Sequence, residues 1–313
     1  MTIETSAAWI WIPITIAAAL MQAIRTAAQK DLNRHLSTLG TTYVRSLFGL
    51  PFMAVYLAVI LWLWGGGVPD MNAAFLAYTV AGSLAQVVAT ALLISMFRLR
   101  NFAVGTMLTK ADIVMTAIIG TVFFGEVLSL AGWAALFVVL GGVLLMLVGR
   151  LGPRALAAAD ESLGEVLYGR TTQAALLCAL FFSFSFLFFR EATLVIGTGN
   201  FLWRGAWTVS LALVIQTVLV GLWLLVREPG VFAQFRTHFP LATFVGFTSA
   251  LGSIGWFTAF ALQNAAYVRA VGQIEGVFTV TIAWLYFKER ITRLELAGIA
   301  VTLIGVLMFR LVQ

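Results

Sequence analysis

Charge is scarce in this sequence: only 10% of its 313 residues are Asp, Glu, Lys or Arg, against about a quarter in a soluble domain. Beside 61% hydrophobic residues, that scarcity excludes an ordinary water-soluble fold. A chain facing hydrocarbon has the opposite need, with apolar helix exteriors and backbone groups satisfied internally. Cysteine is nearly absent as well. The single residue, Cys178, rules out an intramolecular disulfide and leaves the redox compartment open. The two histidines, His35 and His238, fall in predicted loops with no further His or Cys cluster, so no metal site and no cofactor is expected. No His-Glu-x-x-His, Gly-x-Ser-x-Gly or Gly-x-x-x-x-Gly-Lys-Ser/Thr pattern occurs, which removes the sequence basis for an embedded enzyme or an ATP-driven pump. The net charge of +6 does not point to nucleic acid, because the basic residues sit singly or in pairs between apolar runs, as membrane-flanking charges do.

What is present is a succession of runs near the roughly 20 apolar residues a spanning helix needs. Ten are predicted: 9–29, 40–64, 72–97, 102–124, 129–149, 172–190, 199–226, 240–262, 266–287 and 293–312. The leading segment carries Glu4 and no basic residue, so the first run reads as a permanent helix and not as a signal peptide. Trp9, Trp11, Trp62, Trp64 and Trp223 lie near helix ends, as interfacial anchors do. Residues 151–170, with Pro153, Asp160, Glu161 and Glu165, form the longest polar stretch and divide a half at 1–150 from a half at 171–313. Cytoplasmic loops collect Lys and Arg. Placing the odd-to-even connections there gathers 14 of the 19 basic residues, so both termini are predicted on the other side of a multi-pass inner-membrane protein.

The halves are related. At a shift of 163 residues, 15 of the 55 positions in 96–150 are identical to those in 259–313, including Asn101 with Asn264 and Glu126 with Glu289. Tyr43-Val-Arg45 meets Leu202-Trp-Arg204 at a shift of 159. Five helices per half is an odd number, so the second half enters the membrane inverted. The fold class is therefore all-α integral membrane, with ten transmembrane helices as two inverted five-helix repeats.

The segments Phe124-Gly-Glu126-Val-Leu-Ser129 and Phe287-Lys-Glu289-Arg-Ile-Thr292 each precede a helix ending in Gly142-Val-Leu-Leu or Gly305-Val-Leu-Met. They resemble the twin signature of the drug/metabolite transporter superfamily, in its EamA-like permease branch, over essentially the whole chain. The resemblance implies a secondary transporter, often an exporter of amino acids or other small metabolites, with a cavity between the halves. The family often carries prolines in the fourth and ninth helices, and this chain has none in 102–124 or 266–287.

Ionisable groups inside a span are costly and so mark function or pairing. Asp112 lies 14 residues before Glu126, about 21 Å along a helix and near mid-membrane. Its repeat match is Glu275, while Lys110 matches Gln273. These carboxylates are candidate proton or substrate sites; the competing reading is that Lys110, Asp112 or Arg269 pair with neighbours to hold the bundle. Arg25 with Gln22 in the first helix, the matched Arg45 and Arg204, and Gln86 and Trp207 complete the candidate set. Basic residues outnumber acidic ones there, favouring an anionic or zwitterionic small-molecule cargo over a cationic drug, with protons and lipid as the other partners. The phenylalanine-rich sixth helix (Phe181, Phe182, Phe184, Phe186, Phe188, Phe189) reads as lipid and packing contact. Gly141, Gly142, Gly298 and Gly305 suit either a homodimer seam or contact within the chain. The expected function is proton-coupled export by alternating access; uptake or exchange on the same fold, and a channel, receptor or scaffold, are the alternatives.

Overall fold

The structure, a computed structural model, describes residues 9–65, 67–96, 107–157, 169–285, 288 and 290–311. Regular structure among the described residues is helical throughout: α1 (Trp11–Leu32), α2 (Thr38–Leu47), α3 (Leu50–Trp64), α4 (Ala73–Met96), α5 (Asp112–Phe123), α6 (Leu130–Ala157), α7 (Arg170–Val195), α8 (Phe201–Arg227), α9 (Val231–Thr237), α10 (Phe239–Leu262), α11 (Ala265–Gly272), α12 (Glu275–Leu285), α13 (Arg293–Met308) and a 3-10 turn at Phe309–Leu311. The first part of the predicted fourth helix with Asn101, most of the predicted linker, Phe287 and Glu289 lie outside the described residues. The helix α6 continues through Ala157, into the stretch 151–170 read from the sequence as a linker.

Among the described residues, eight helical segments are long and apolar enough to cross a membrane, α2 and α3 counting together as Thr38–Trp64. They correspond to every predicted span except the fourth and ninth. Those two differ from expectation in the same way. Lys110 and Ala111 form a turn and α5 begins at Asp112; Gln273 and Ile274 form a turn between α11 and α12. The N–H groups of Lys110, Ala111 and Ile113 bond three residues back, to Met107, Leu108 and Lys110, and those of Gln273, Ile274 and Gly276 do likewise. Each residue of the second set lies 163 after its counterpart. Short 3-10 stretches of this kind interrupt helices without proline, so the missing prolines do not keep these helices continuous.

The described residues form two compact units, each drawing on both sequence halves. The first comprises Met1–Trp9, Val88–Leu187 and Asn264–Gln313. In it α6 and α13 run closely together. A Cβ on Gly142 would lie 2.5 Å from the Thr302 backbone N, and one on Gly298 2.6 Å from the Gly142 carbonyl. Gly305 packs as tightly on Val139. The small residues therefore let two helices of one chain touch backbone to backbone. Both helices start from repeat-matched caps. Ser129 Oγ accepts from the Gly132 N–H at 3.1 Å, and Thr292 Oγ1 accepts from the Glu295 N–H at 3.1 Å in a full capping box. Ahead of them Gly125 and Lys288, also matched, both have positive φ, +68° and +57°.

The second unit comprises Ile10–Val87 and Phe188–Gln263. Here α1 packs along α10, and α8 lies against α2, α3 and α10. Tyr43, Val44, Leu224, Val231, Phe235 and Val245 form one apolar cluster; Ile60, Phe75, Ala192, Ile196, Trp203 and Ala206 form another. Four of the five proposed tryptophan anchors are exposed, but Trp11 is only 1% exposed. It belongs to the core because it opens the helix that packs on α10.

Candidate functional site

Lys110, Asp112, Gln273 and Glu275 fall in the first unit; Gln22, Arg25, Arg45, Gln86, Arg204 and Trp207 fall in the second. In the first unit the two matched helix breaks bring acidic residues to helix starts. Asp112 is the first residue of α5 and Glu275 the first of α12, where a carboxylate is favoured by the helix dipole. This corrects the expectation that Asp112 sits inside a continuous helix. Asp112 is buried, and its Oδ2 accepts from Arg269 Nη2 at 2.7 Å, with side-chain exposures of 4% and 11%. The Arg269 guanidinium also lies 4.2 Å from the centre of the Phe186 ring. Ser183 donates to the Asp112 backbone carbonyl at 3.0 Å. Asp112 Oδ1 accepts no hydrogen bond from a described residue. Gln273 is buried, and Glu275 and Lys110 are half-buried. Asp112 is thus paired, with Arg269 as the partner. The phenylalanines of the sixth span, all buried or half-buried, pack within the protein.

The signature around Glu126 is structural. Gly125, at φ +68°, turns the chain so that the Glu126 N–H reaches the Gly120 carbonyl at 2.9 Å. The buried Glu126 carboxylate then accepts from the Ala265 N–H, both oxygens at 3.1 Å. It caps the N-terminus of α11, across 139 residues of sequence. Tyr267, two residues further, accepts from the Ser129 N–H at 3.1 Å.

In the second unit Arg45 Nη2 donates to Gln216 Oε1 at 2.9 Å, and Gln216 Nε2 donates to Gln86 Oε1 at 2.6 Å. Arg25 lies in α1, the helix that packs along α10. Gln22 accepts from Trp256 Nε1 at 3.0 Å. Arg204 and Arg190 lie in this unit as well. Arg190 Nη1 donates to the carbonyls of Phe260 at 2.7 Å and Gln263 at 2.6 Å, closing the C-terminus of α10. Neither Arg45 nor Arg204 forms an ion pair with a described residue. Arg45 meets α8 at Gln216, 12 residues after Arg204 (216 less 204), about 18 Å along the helix. Neither Arg190 nor Gln216 is among the candidates read from the sequence. The signal for Arg190 was the abrupt join after Leu262, which has no glycine to turn the chain and so leaves carbonyls that need a donor.

The profile of the EamA-like transporter family matches residues 9–148 and 171–311. No curated protein matches the sequence significantly. A solved crystal structure, described only as that of a protein, resembles the chain with a TM-score of 0.71 at 14% identity, covering 97% of this chain and 98% of its own. At that identity the likeness concerns the fold.

Proposed function

This chain belongs to the EamA-like transporter family, and from that premise we propose that it exports a small polar metabolite by alternating access, coupled to protons at Asp112. The cargo is an amino-acid-like zwitterion or an organic anion, and the reaction is transport, not catalysis. The observation that carries the reading is the buried Arg269–Asp112 pair, 2.7 Å long, at a helix break repeated at the matched position of the other half. Interrupted helices are where many transporters place coupling groups, since freed backbone and helix ends face the path. An ion pair there is a two-state element: neutralising Asp112 would remove its attraction for Arg269 and free the pair to separate. The family's fold makes such an exchange between inward-open and outward-open shapes the natural use of two inverted repeats. The reading includes an inner-membrane location with both termini away from the cytoplasm, an orientation supported by the distribution of Lys and Arg.

The test begins with metabolite profiling of medium and cells with and without overexpression, followed by flux of the identified compound in sealed liposomes with and without a pH gradient. Flux accelerated by the gradient in the wild type, and insensitive to it in Asp112→Asn, is the expected result. Equal pH dependence in both would reject Asp112 as the coupling group, and absence of any flux would reject transport.

A further inference from the structure

The two repeat-matched arginines have different surroundings. Arg45 is engaged by the Gln216–Gln86 amide relay, which a ligand would have to break. Arg204 has no such relay. Around it, within the same unit, lie buried polar hydrogens that meet no acceptor among the described residues. Trp203 Nε1, Trp207 Nε1 and Ser210 Oγ belong to the same stretch of α8. The Tyr56 hydroxyl lies beside that of Thr258 without the geometry of a full hydrogen bond. Tyr56 and Trp207 pack on the cluster that contains Trp203, whose ring meets that of Trp207 edge to face at 6.4 Å. Thr258 joins them because Gly205, next to Arg204, approaches the Phe257–Thr258 backbone within about 3.3 Å of where a Cβ would stand. Trp203 is 7% and Thr258 2% exposed.

Buried donors nearly always find an acceptor in a native protein. Here indole N–H, hydroxyl and guanidinium groups gather with acceptors in deficit. Water would satisfy the hydroxyls one at a time, whereas an anion would also meet the Arg204 guanidinium, which forms no ion pair with a described residue. A carboxylate fits best, as a flat acceptor that takes a bidentate guanidinium fork and further N–H and O–H donors in its plane. With the rings of Trp203, Trp207 and Tyr56 gathered in one cluster, an apolar or planar body bound there would meet aromatic surface. We propose that Arg204, Trp207, Tyr56 and Thr258 form a binding site for the carboxylate of a small organic acid or zwitterion with an apolar body, and that Arg45, its repeat counterpart, is a structural residue. The proposal rests on the transport reading only in taking this ligand to be the cargo.

The test is direct binding of radiolabelled phenylacetate to the full chain in nanodiscs, with the neutral phenylacetamide as competitor. The wild type is expected to bind phenylacetate saturably and to discriminate against the amide by about tenfold or more. Arg204→Gln should lose that discrimination. Arg204→Lys, which keeps the charge but not the fork, should retain part of it, and Trp207→Phe, which keeps an aromatic ring but removes the indole N–H, should weaken binding several-fold. Arg45→Gln should bind as the wild type does. No saturable phenylacetate binding by the wild type, equal competition by the amide, or an equal loss in Arg45→Gln would overturn the site. Carboxylate binding that depends on Arg204 but is accompanied by no flux in liposomes would uphold the site and overturn the transport reading instead.

Discussion

Replacing Asp112 by Asn removes one charge of a pair whose side chains are 4% and 11% exposed and whose closest atoms are 2.7 Å apart. Two unit charges with centres about 4 Å apart interact by about 4 kcal/mol at an effective dielectric of about 20. Removing one partner of a buried pair costs about 3–5 kcal/mol, because the remaining charge is left uncompensated. Two contacts limit the loss. The Asn carbonyl still accepts one hydrogen bond, and the cation–π contact with Phe186 survives, which when desolvated is worth about 2 kcal/mol. The expected cost of Asp112→Asn is therefore about 3 kcal/mol. Arg269→Gln should cost a similar amount, and the double variant should recover most of it, because the isolated charge is gone. Reversible unfolding in bicelles, followed through the full double-mutant cycle, measures the coupling directly. Single variants each costing under about 0.5 kcal/mol, or costs that simply add, would refute the reasoning.

Two further stability predictions follow from the first unit. Glu126→Ala should destabilise by about 1–2 kcal/mol through loss of the cap on Ala265, and Glu126→Gln, which keeps one acceptor, by less; equal effects of the two would point to packing alone. Gly142→Val should cost about 3 kcal/mol or prevent folding, since its Cβ would stand 2.5 Å from the Thr302 backbone, while Gly141→Val, with nothing within 4 Å, should stay within about 0.5 kcal/mol. Thermal unfolding in detergent separates the pair, and comparable losses at both positions would mean that the α6–α13 seam is not the cause.

The features legible in the sequence are those written along one dimension. Membrane class follows from apolar run length against a fixed hydrocarbon thickness. Helix starts such as Thr292 with Glu295 follow from caps whose partners lie three residues away. The shift of 163 residues was equally visible, and it correctly pairs the helix breaks at Lys110–Ala111 and Gln273–Ile274, although nothing local announced the breaks themselves. Without a proline they depend on backbone bonding that the sequence pattern does not encode. The partners of buried polar groups were not legible, because they are chosen by which helices pack together. Arg269 meets Asp112 across 157 residues, Glu126 caps α11 across 139, and Gln216 meets Arg45 across 171.

By itself, then, the sequence determined a helical membrane bundle of two related halves with charges placed where charges are expensive. Only the tertiary structure decided that each compact unit draws on both halves, that the glycines of α6 and α13 meet each other within one chain, and that Asp112 is paired with Arg269. The physical reason is that burial of a helix face is specified residue by residue, whereas in an apolar chain many faces would serve, and the choice among them is made by long-range packing and hydrogen bonds.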